Sequence, residues 1–182
     1  MIKGVVIGAF LAGVILAGGC FYYFASGMAP VATADPPMPF ERKLANMALN
    51  AHIGKQHAVQ SPVAAGEPTF LAGAEVYKQH CAACHGMPGQ PPTGYASTMF
   101  PTPTQLFRGN GVTDDPVFET YWKAANGIRL SGMPSFKTTL TDTQLWQVSQ
   151  LVAHANEIPE SVRKVLVSDL ATGAPSHETA AK

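Results

Sequence analysis

The sequence has little charge and no excess of either sign. Only 13% of its 182 residues are charged, and 12 basic residues balance 12 acidic ones. Nucleic-acid-binding proteins usually carry a basic patch, so we expect no nucleic-acid partner. The length favours one compact domain with additional segments.

Cysteine is scarce as well, which argues against two kinds of site. The chain contains three cysteines, Cys20, Cys81 and Cys84. A zinc ribbon needs a second pair of Cys or His ligands at similar spacing, and Cys20 lies too far upstream to provide it. A thioredoxin-like site would lie in a βαβ pattern, but the sequence shows neither strand alternation nor an internal repeat.

The paired cysteines belong to the segment Cys81-Ala82-Ala83-Cys84-His85, which has the C-x-x-C-H spacing of a c-type haem attachment site. In one helical turn both thiols lie on the same face, from which they can form thioethers with the porphyrin vinyl groups. The adjacent imidazole can then bind the iron. The segment therefore predicts one haem c, attached through Cys81 and Cys84, with His85 as the first axial ligand.

An electron-transfer haem needs a second axial ligand, and a thioether raises the potential relative to a second imidazole. Four candidates follow the motif: Met87, Met99, Met133 and His154. Met87 is too near His85 in sequence to reach the opposite haem face easily, and His154 lies on a predicted helix where packed or surface histidines are common. Met99 lies in a proline-rich loop and stays possible. We favour Met133, because the glycine before it permits close backbone approach and the proline after it stiffens the loop.

Residues 4–25 form an uncharged apolar run at the amino terminus. At ~1.5 Å per residue, a helix of this length spans the ~30 Å hydrocarbon core of a bilayer. A cleavable signal peptide is the main alternative, because Lys3 gives a short basic start, and lipoprotein processing at Cys20 is another. We favour an uncleaved membrane anchor over residues 1–27, since the run is longer than the core of a typical signal peptide.

The orientation follows from two arguments. Lys3 places the amino terminus in the cytoplasm, and c-type haem is attached on the outer side of the bacterial inner membrane. We therefore expect a single-pass inner-membrane protein with a periplasmic haem domain.

The rest of the chain divides by composition. Residues 28–66 are rich in Pro and Ala near their start and predict a linker, with an amphipathic helix at 40–57. That helix would lie on the membrane surface, on a partner subunit or on its own haem domain. Residues 67–168 form the predicted haem domain, and residues 169–182 a disordered tail.

Helical patterns dominate the haem domain, so the predicted fold class is all-α. A helix over 71–80 leads into the cysteine motif, and a second begins after an N-cap and proline signal at 115–116. The last helix begins with a capping box at 141–144. Residues 87–103 are rich in Gly and Pro and predict an irregular loop, and a short basic turn is expected after Pro159.

This order of features resembles class I c-type cytochromes over residues 69–158. The resemblance rests on CAACH, the proline-rich loop, the segment NGIRLSGMPSF and an aromatic-bearing final helix. The chain looks most like the membrane-anchored monohaem cytochromes of bacterial respiratory complexes. It is therefore expected to have a class I cytochrome c domain, preceded by a single transmembrane helix and a linker.

The resemblance also implies roles for individual residues. A carbonyl of Pro91 or Pro92 would accept the hydrogen bond from the His85 ring, and Gly73 and Tyr77 of the first domain helix would pack on the last helix. Further candidates, for contacts with the haem propionates, are Arg108, Trp122 and Arg129.

The predicted function is electron transfer rather than catalysis, as a membrane-anchored subunit of a respiratory (or photosynthetic) complex. Its partners would be the other subunits, a donor and an acceptor protein, and the lipid bilayer around residues 4–25. A free membrane-tethered shuttle is one alternative. A haem-based sensor or peroxidase, with a dissociable Met133, is another.

Overall fold

The structure is a computed structural model that describes residues 2–168, so the predicted disordered tail at 169–182 lies outside the described residues. Within residues 2–168 the chain is helical and contains no strand, which confirms the all-α prediction. Met87 and Gln90 form an isolated antiparallel bridge. The helices are α1 (Ile2–Ala25), α2 (Glu41–Ile53), α3 (Glu67–His80), α4 (Ala82–His85), a 3₁₀ helix (Ala96–Thr98), α5 (Val117–Asn126), α6 (Asp142–Ala153) and α7 (Glu160–Val167).

α1 is a continuous, predominantly apolar helix of 24 residues. It is the one helix within the described residues that is long and apolar enough to cross a membrane. None of its residues is buried within the protein. Length and composition therefore make it a candidate membrane span.

The chain separates into two compact units, divided between Asn46 and Met47. This division falls inside α2. The helix ends at Ile53, directly before Gly54, and is therefore shorter than the helix predicted at 40–57. Ile53 is buried within the second unit. The predicted domain boundaries at residues 27 and 66 stay predictions.

The second unit is built around α6. α3 and α5 both pack on this helix, and α7 packs on α3. The predicted capping box is confirmed, since the Thr141 side chain accepts from the Gln144 amide and the Gln144 side chain accepts from the Thr141 amide. The buried core side chains are Phe70, Ala74, Val76, Tyr77, Ala125, Leu140, Leu145, Val148, Leu151, Val152, Ile158, Val162 and Leu166.

Two helix starts differ from the prediction. α3 begins at Glu67, one turn before the predicted residue 71, because Pro68 fits the first turn of a helix. α5 begins after Pro116 without a side-chain cap. Asp115 was the expected cap, but its carboxylate lies 3.2 Å from the Lys123 ammonium group instead.

α7 replaces the short basic turn expected after Pro159, so that prediction was wrong. The helix has only eight residues, and so short a helix is marginal without tertiary contacts. Val162 and Leu166 are fully buried in the core, and the Ser161 hydroxyl donates to the Glu67 carboxylate on α3. Packing against α3 therefore stabilises a helix whose local sequence does not indicate one strongly.

Gly73 allows α3 to approach α6 closely. A Cβ atom at this position would overlap the Gln147 carbonyl oxygen, and it would lie 2.8 Å from the Gln147 carbonyl carbon and 3.1 Å from Leu151 Cβ. The first two atoms belong to helix backbone and cannot move aside as a flexible side chain could. The predicted packing of the first domain helix on the helix that begins with the capping box, α6, is thus present at this crossing.

We predict that Gly73→Ala destabilises the protein. Alanine has the higher helix propensity by about 1 kcal/mol, but overpacking against fixed backbone typically costs about 1–3 kcal/mol. The net free energy of unfolding, measured by denaturant titration, should therefore fall. Gly94→Ala is the matched control, because nothing lies within 4 Å of its added Cβ. Equal stabilities of the two variants would contradict the close approach.

Candidate functional site

The C-x-x-C-H segment forms a single helical turn, as predicted. α4 comprises Ala82–His85, and Cys81 caps both the end of α3 and the start of α4. The backbone amides of Cys84 and His85 donate to the Cys81 carbonyl oxygen at 3.1 and 2.9 Å. Residues three apart in such a turn are surface neighbours. The turn therefore presents the two thiols side by side.

Both thiols of the motif are half-buried and free. Burial and, to a smaller extent, the neighbouring Cys84 together raise the pKa of the Cys81 thiol to about 12. The Cys84 sulfur lies 3.9 Å from the Tyr95 hydroxyl oxygen. Cys81 is therefore a neutral thiol at neutral pH, and no disulfide removes either sulfur from reaction.

One nitrogen of the His85 ring is hydrogen-bonded to the protein backbone. Its Nδ1 atom lies 2.7 Å from the Thr104 carbonyl oxygen, an acceptor, so Nδ1 carries the proton and donates. Nε2 of the neutral ring then keeps its lone pair for a metal. Burial lowers the pKa of His85, and the hydrogen bond to Thr104 opposes part of this shift. The net shift favours the neutral form that can bind a metal.

The prediction that Pro91 or Pro92 accepts this hydrogen bond was wrong. The next residue, Thr93, donates to the Ala83 carbonyl oxygen from both its amide (3.2 Å) and its hydroxyl (2.7 Å). These bonds hold the residue after the proline pair against the α4 backbone. The chain instead meets the His85 ring at Thr104, after the proline-rich loop has turned back.

The backbone that follows His85 is fixed from α3. The fully buried Tyr77 hydroxyl donates to the Gly86 carbonyl oxygen at 2.7 Å, and burial raises the pKa of Tyr77, so the group stays a donor. Gly86 has φ +73°, and a Cβ there would lie 2.9 Å from the Gln90 carbonyl oxygen. Glycine is therefore required at the turn that carries the histidine.

The loop that carries Met133 closes on the end of α5. The Ile128 amide donates to the Met133 carbonyl oxygen, and the Met133 amide donates to the Ser131 hydroxyl oxygen, both at 3.2 Å. Gly127 has φ +70°, and a Cβ there would lie 2.9 Å from the Met133 carbonyl oxygen. The backbone on both sides of the half-buried Met133 is thus held by local contacts.

Two other candidate ligands, His154 and Met99, make contacts with other parts of the protein. His154 lies at the end of α6, with Nδ1 2.9 Å from the Gln150 carbonyl oxygen and its ring 5.4 Å from the Phe70 ring. The expectation for His154 was a packed or surface histidine, and the structure shows a half-buried one that packs on Phe70. Met99 lies against Gly132, directly before Met133. No local sequence pattern indicates that contact, because 32 intervening residues must be folded to bring the two together.

The candidate propionate contacts stay predictions. Arg108 and Arg129 are exposed, and Trp122 is half-buried with its ring 5.4 Å from the His52 ring.

The arrangement of the C-x-x-C-H turn fits a covalently held haem with an imidazole beside it. Paired thiols and an imidazole with one free nitrogen lie on a single turn, and Met133 is presented by a separate, well-braced loop. Among residues 2–168 no group of three or more His, Cys, Asp and Glu side chains could hold a metal ion. The thiol pair thus lacks the additional donors of a zinc ribbon in this part of the chain.

Comparison with known proteins gives the class of the domain. Residues 68–152, just under half of the chain, match the family model described as "Cytochrome C oxidase, cbb3-type, subunit III". This match and the helical fold support a class I c-type cytochrome, with one apolar helix before the cytochrome domain. Such a domain implies covalently bound c-type haem and fits haem-based electron transfer.

One solved structure is also similar, a chain of the Kuenenia stuttgartiensis reducing HAO-like protein complex. The two chains are 25% identical with a TM-score of 0.45, and the match covers 58% of this chain and 54% of the other. The present chain thus spans about half the length of that structure. No curated protein matches the chain significantly.

Proposed function

We propose that this protein is a non-catalytic electron carrier, with haem attached through Cys81 and Cys84 and ligated by His85 and Met133. The observation that carries the proposal is the 2.7 Å contact between His85 Nδ1 and the Thr104 carbonyl oxygen. The Nδ1–H group donates a hydrogen bond to the Thr104 carbonyl oxygen. This bond orients the ring and leaves Nε2 for the iron, on the same turn as both thiols.

The bound haem would supply the vinyl groups for the thioethers and the iron that cycles between ferrous and ferric states. The protein's own part is to hold ligands in place. The Tyr77–Gly86 hydrogen bond fixes the turn after the imidazole, and the Ile128–Met133 hydrogen bond fixes the loop that carries the thioether. Because the same two ligands would be held in the ferrous and the ferric state, electron transfer would require little structural rearrangement.

We further propose that α1 anchors the protein in the bacterial inner membrane, with its amino terminus in the cytoplasm and the haem domain in the periplasm. The support is the length and apolar composition of α1 and the position of Lys3 in its first turn. The protein would act as a subunit of a respiratory (or photosynthetic) complex. Co-purification of a stoichiometric complex in mild detergent tests this, and its consistent loss would favour a free tethered shuttle.

The test of the electron-carrier proposal is spectroscopic. The purified full-length chain should give a reduced-minus-oxidised spectrum of c-type haem, and its ferrous form should bind carbon monoxide slowly and incompletely at neutral pH. Rapid, complete binding would show an open sixth position and favour the sensor or peroxidase alternative. A colourless protein, or one that contains zinc, would refute the proposal.

Electron transfer to a partner should depend only weakly on ionic strength. Residues 67–168 contain seven basic and eight acidic side chains, so long-range steering by net charge is small. We expect the second-order rate constant to change by no more than a few-fold between about 0.01 and 0.15 M salt. Stopped-flow measurement against a soluble acceptor tests this, and a steep decrease with salt would contradict it.

A further inference from the structure

Met99 and Gly132 form a contact between the proline-rich loop and the loop that carries Met133. A Cβ atom added at Gly132 would overlap Met99 Cε and lie 3.5 Å from Met99 Sδ. Apart from Gly132 itself and the two residues next to it in sequence, no described residue other than Met99 has a heavy atom within 4 Å of that position. The Met99 side chain is therefore what covers this face of the Gly132 backbone.

The two residues occupy different kinds of chain segment. Met99 directly follows the 3₁₀ helix, where its amide donates to the Ala96 carbonyl oxygen at 3.3 Å, and Ala96 is fully buried. Gly132 itself is exposed. The half-buried Met99 side chain therefore packs on the exposed backbone of Gly132, one residue before the candidate ligand Met133.

We propose that Met99 is a positioning residue, which packs on Gly132 and limits the outward movement of the Met133 loop. The inference rests on the proposed role of Met133. The hydrogen bonds within the loop, from Ile128 to Met133 and from Met133 to Ser131, fix the shape of the loop. They do not join it to the proline-rich segment. Met99 supplies a contact between the Met133 loop and the proline-rich segment. It therefore limits how often the Met133 thioether moves away from the position in which it would ligate the iron.

The test compares Met99→Ala with Met99→Leu in the full-length haem-loaded protein. Alanine removes the packing, whereas leucine keeps most of the volume without the sulfur. Ferrous Met99→Ala should bind carbon monoxide about tenfold faster than wild type. On heating, the sulfur-to-iron charge-transfer band of ferric Met99→Ala should disappear at a lower temperature than that of wild type. Met99→Leu should restore both to near wild-type values. A Met99→Leu variant as impaired as Met99→Ala would overturn a packing role.

A double-mutant cycle with Gly132→Ala tests the contact itself. The φ of Gly132 is not in the left-handed region, so alanine is opposed there by Met99 rather than by backbone strain. Gly132→Ala should accelerate carbon monoxide binding in the wild-type background and have little further effect on Met99→Ala. Equal effects in both backgrounds, or no effect in either, would overturn the proposal.

The same measurements separate this inference from the ligand assignment. If the charge-transfer band survives in Met133→Ala but is lost in Met99→Leu, Met99 itself is the ligand, and both proposals fail. If Met133→Ala loses the band while the Met99 and Gly132 effects are additive, Met133 is the ligand and only the positioning role fails.

Discussion

Replacing Cys81 and Cys84 together by serine should abolish covalent haem attachment. The serine hydroxyl matches the thiol in size but does not form the thioether, so neither bond to the porphyrin can be made. We expect the haem-dependent signal of the protein band on a denaturing gel to vanish. The reduced haemochrome spectrum of the protein after acid–acetone extraction should vanish with it.

The third cysteine provides the matched control. Cys20 lies in α1, is exposed and is free, so Cys20→Ser should keep full covalent haem. Each single variant at Cys81 or Cys84 retains one thiol, and it should show a shifted haemochrome maximum if any haem remains attached. Covalent haem in the double variant, or its loss in Cys20→Ser, would contradict the assignment.

The site was predictable where its chemistry is local in sequence. Cys81, Cys84 and His85 lie within five residues, and the ordinary geometry of one helical turn brings them together whatever the rest of the chain does. The Thr141–Gln144 capping box is local in the same way and was confirmed. Spacing alone therefore identified the motif, its helical conformation and the start of α6.

The partner of the His85 ring was not predictable by the same means. The acceptor, Thr104, lies 19 residues from the histidine, and the loop between them contains several prolines whose carbonyls are equally good acceptors. The path of that loop decides among them. It is set by contacts such as Thr93 with Ala83, which leave no pattern in the sequence.

α7 shows the same limit for the fold. Its buried residues Val162 and Leu166 are four apart, as in any amphipathic helix, but eight residues give too short a pattern to separate a helix from a turn. The close approach of Gly73 to α6 was anticipated only from the resemblance to cytochromes. In each case a long-range contact, rather than local preference, determines the structure.

The second large effect is expected from Met133→Ala. Alanine removes the only group at this position that can ligate iron, while the hydrogen bonds of its backbone to Ile128 and Ser131 can persist. The ferric protein should lose the sulfur-to-iron charge-transfer band. The ferrous protein should bind carbon monoxide rapidly and completely, and the potential should fall because thioether ligation raises it.

Met87→Leu is the control for this experiment. Met87 is half-buried, packs against the core and lies two residues from His85, so leucine should preserve its packing and leave the band intact. Retention of covalent haem in Met133→Ala would show that the variant still folds around its cofactor. Persistence of the band in that folded variant would refute Met133 as the ligand. It would make Met99, which lies against Gly132 in the same region, the next residue to substitute.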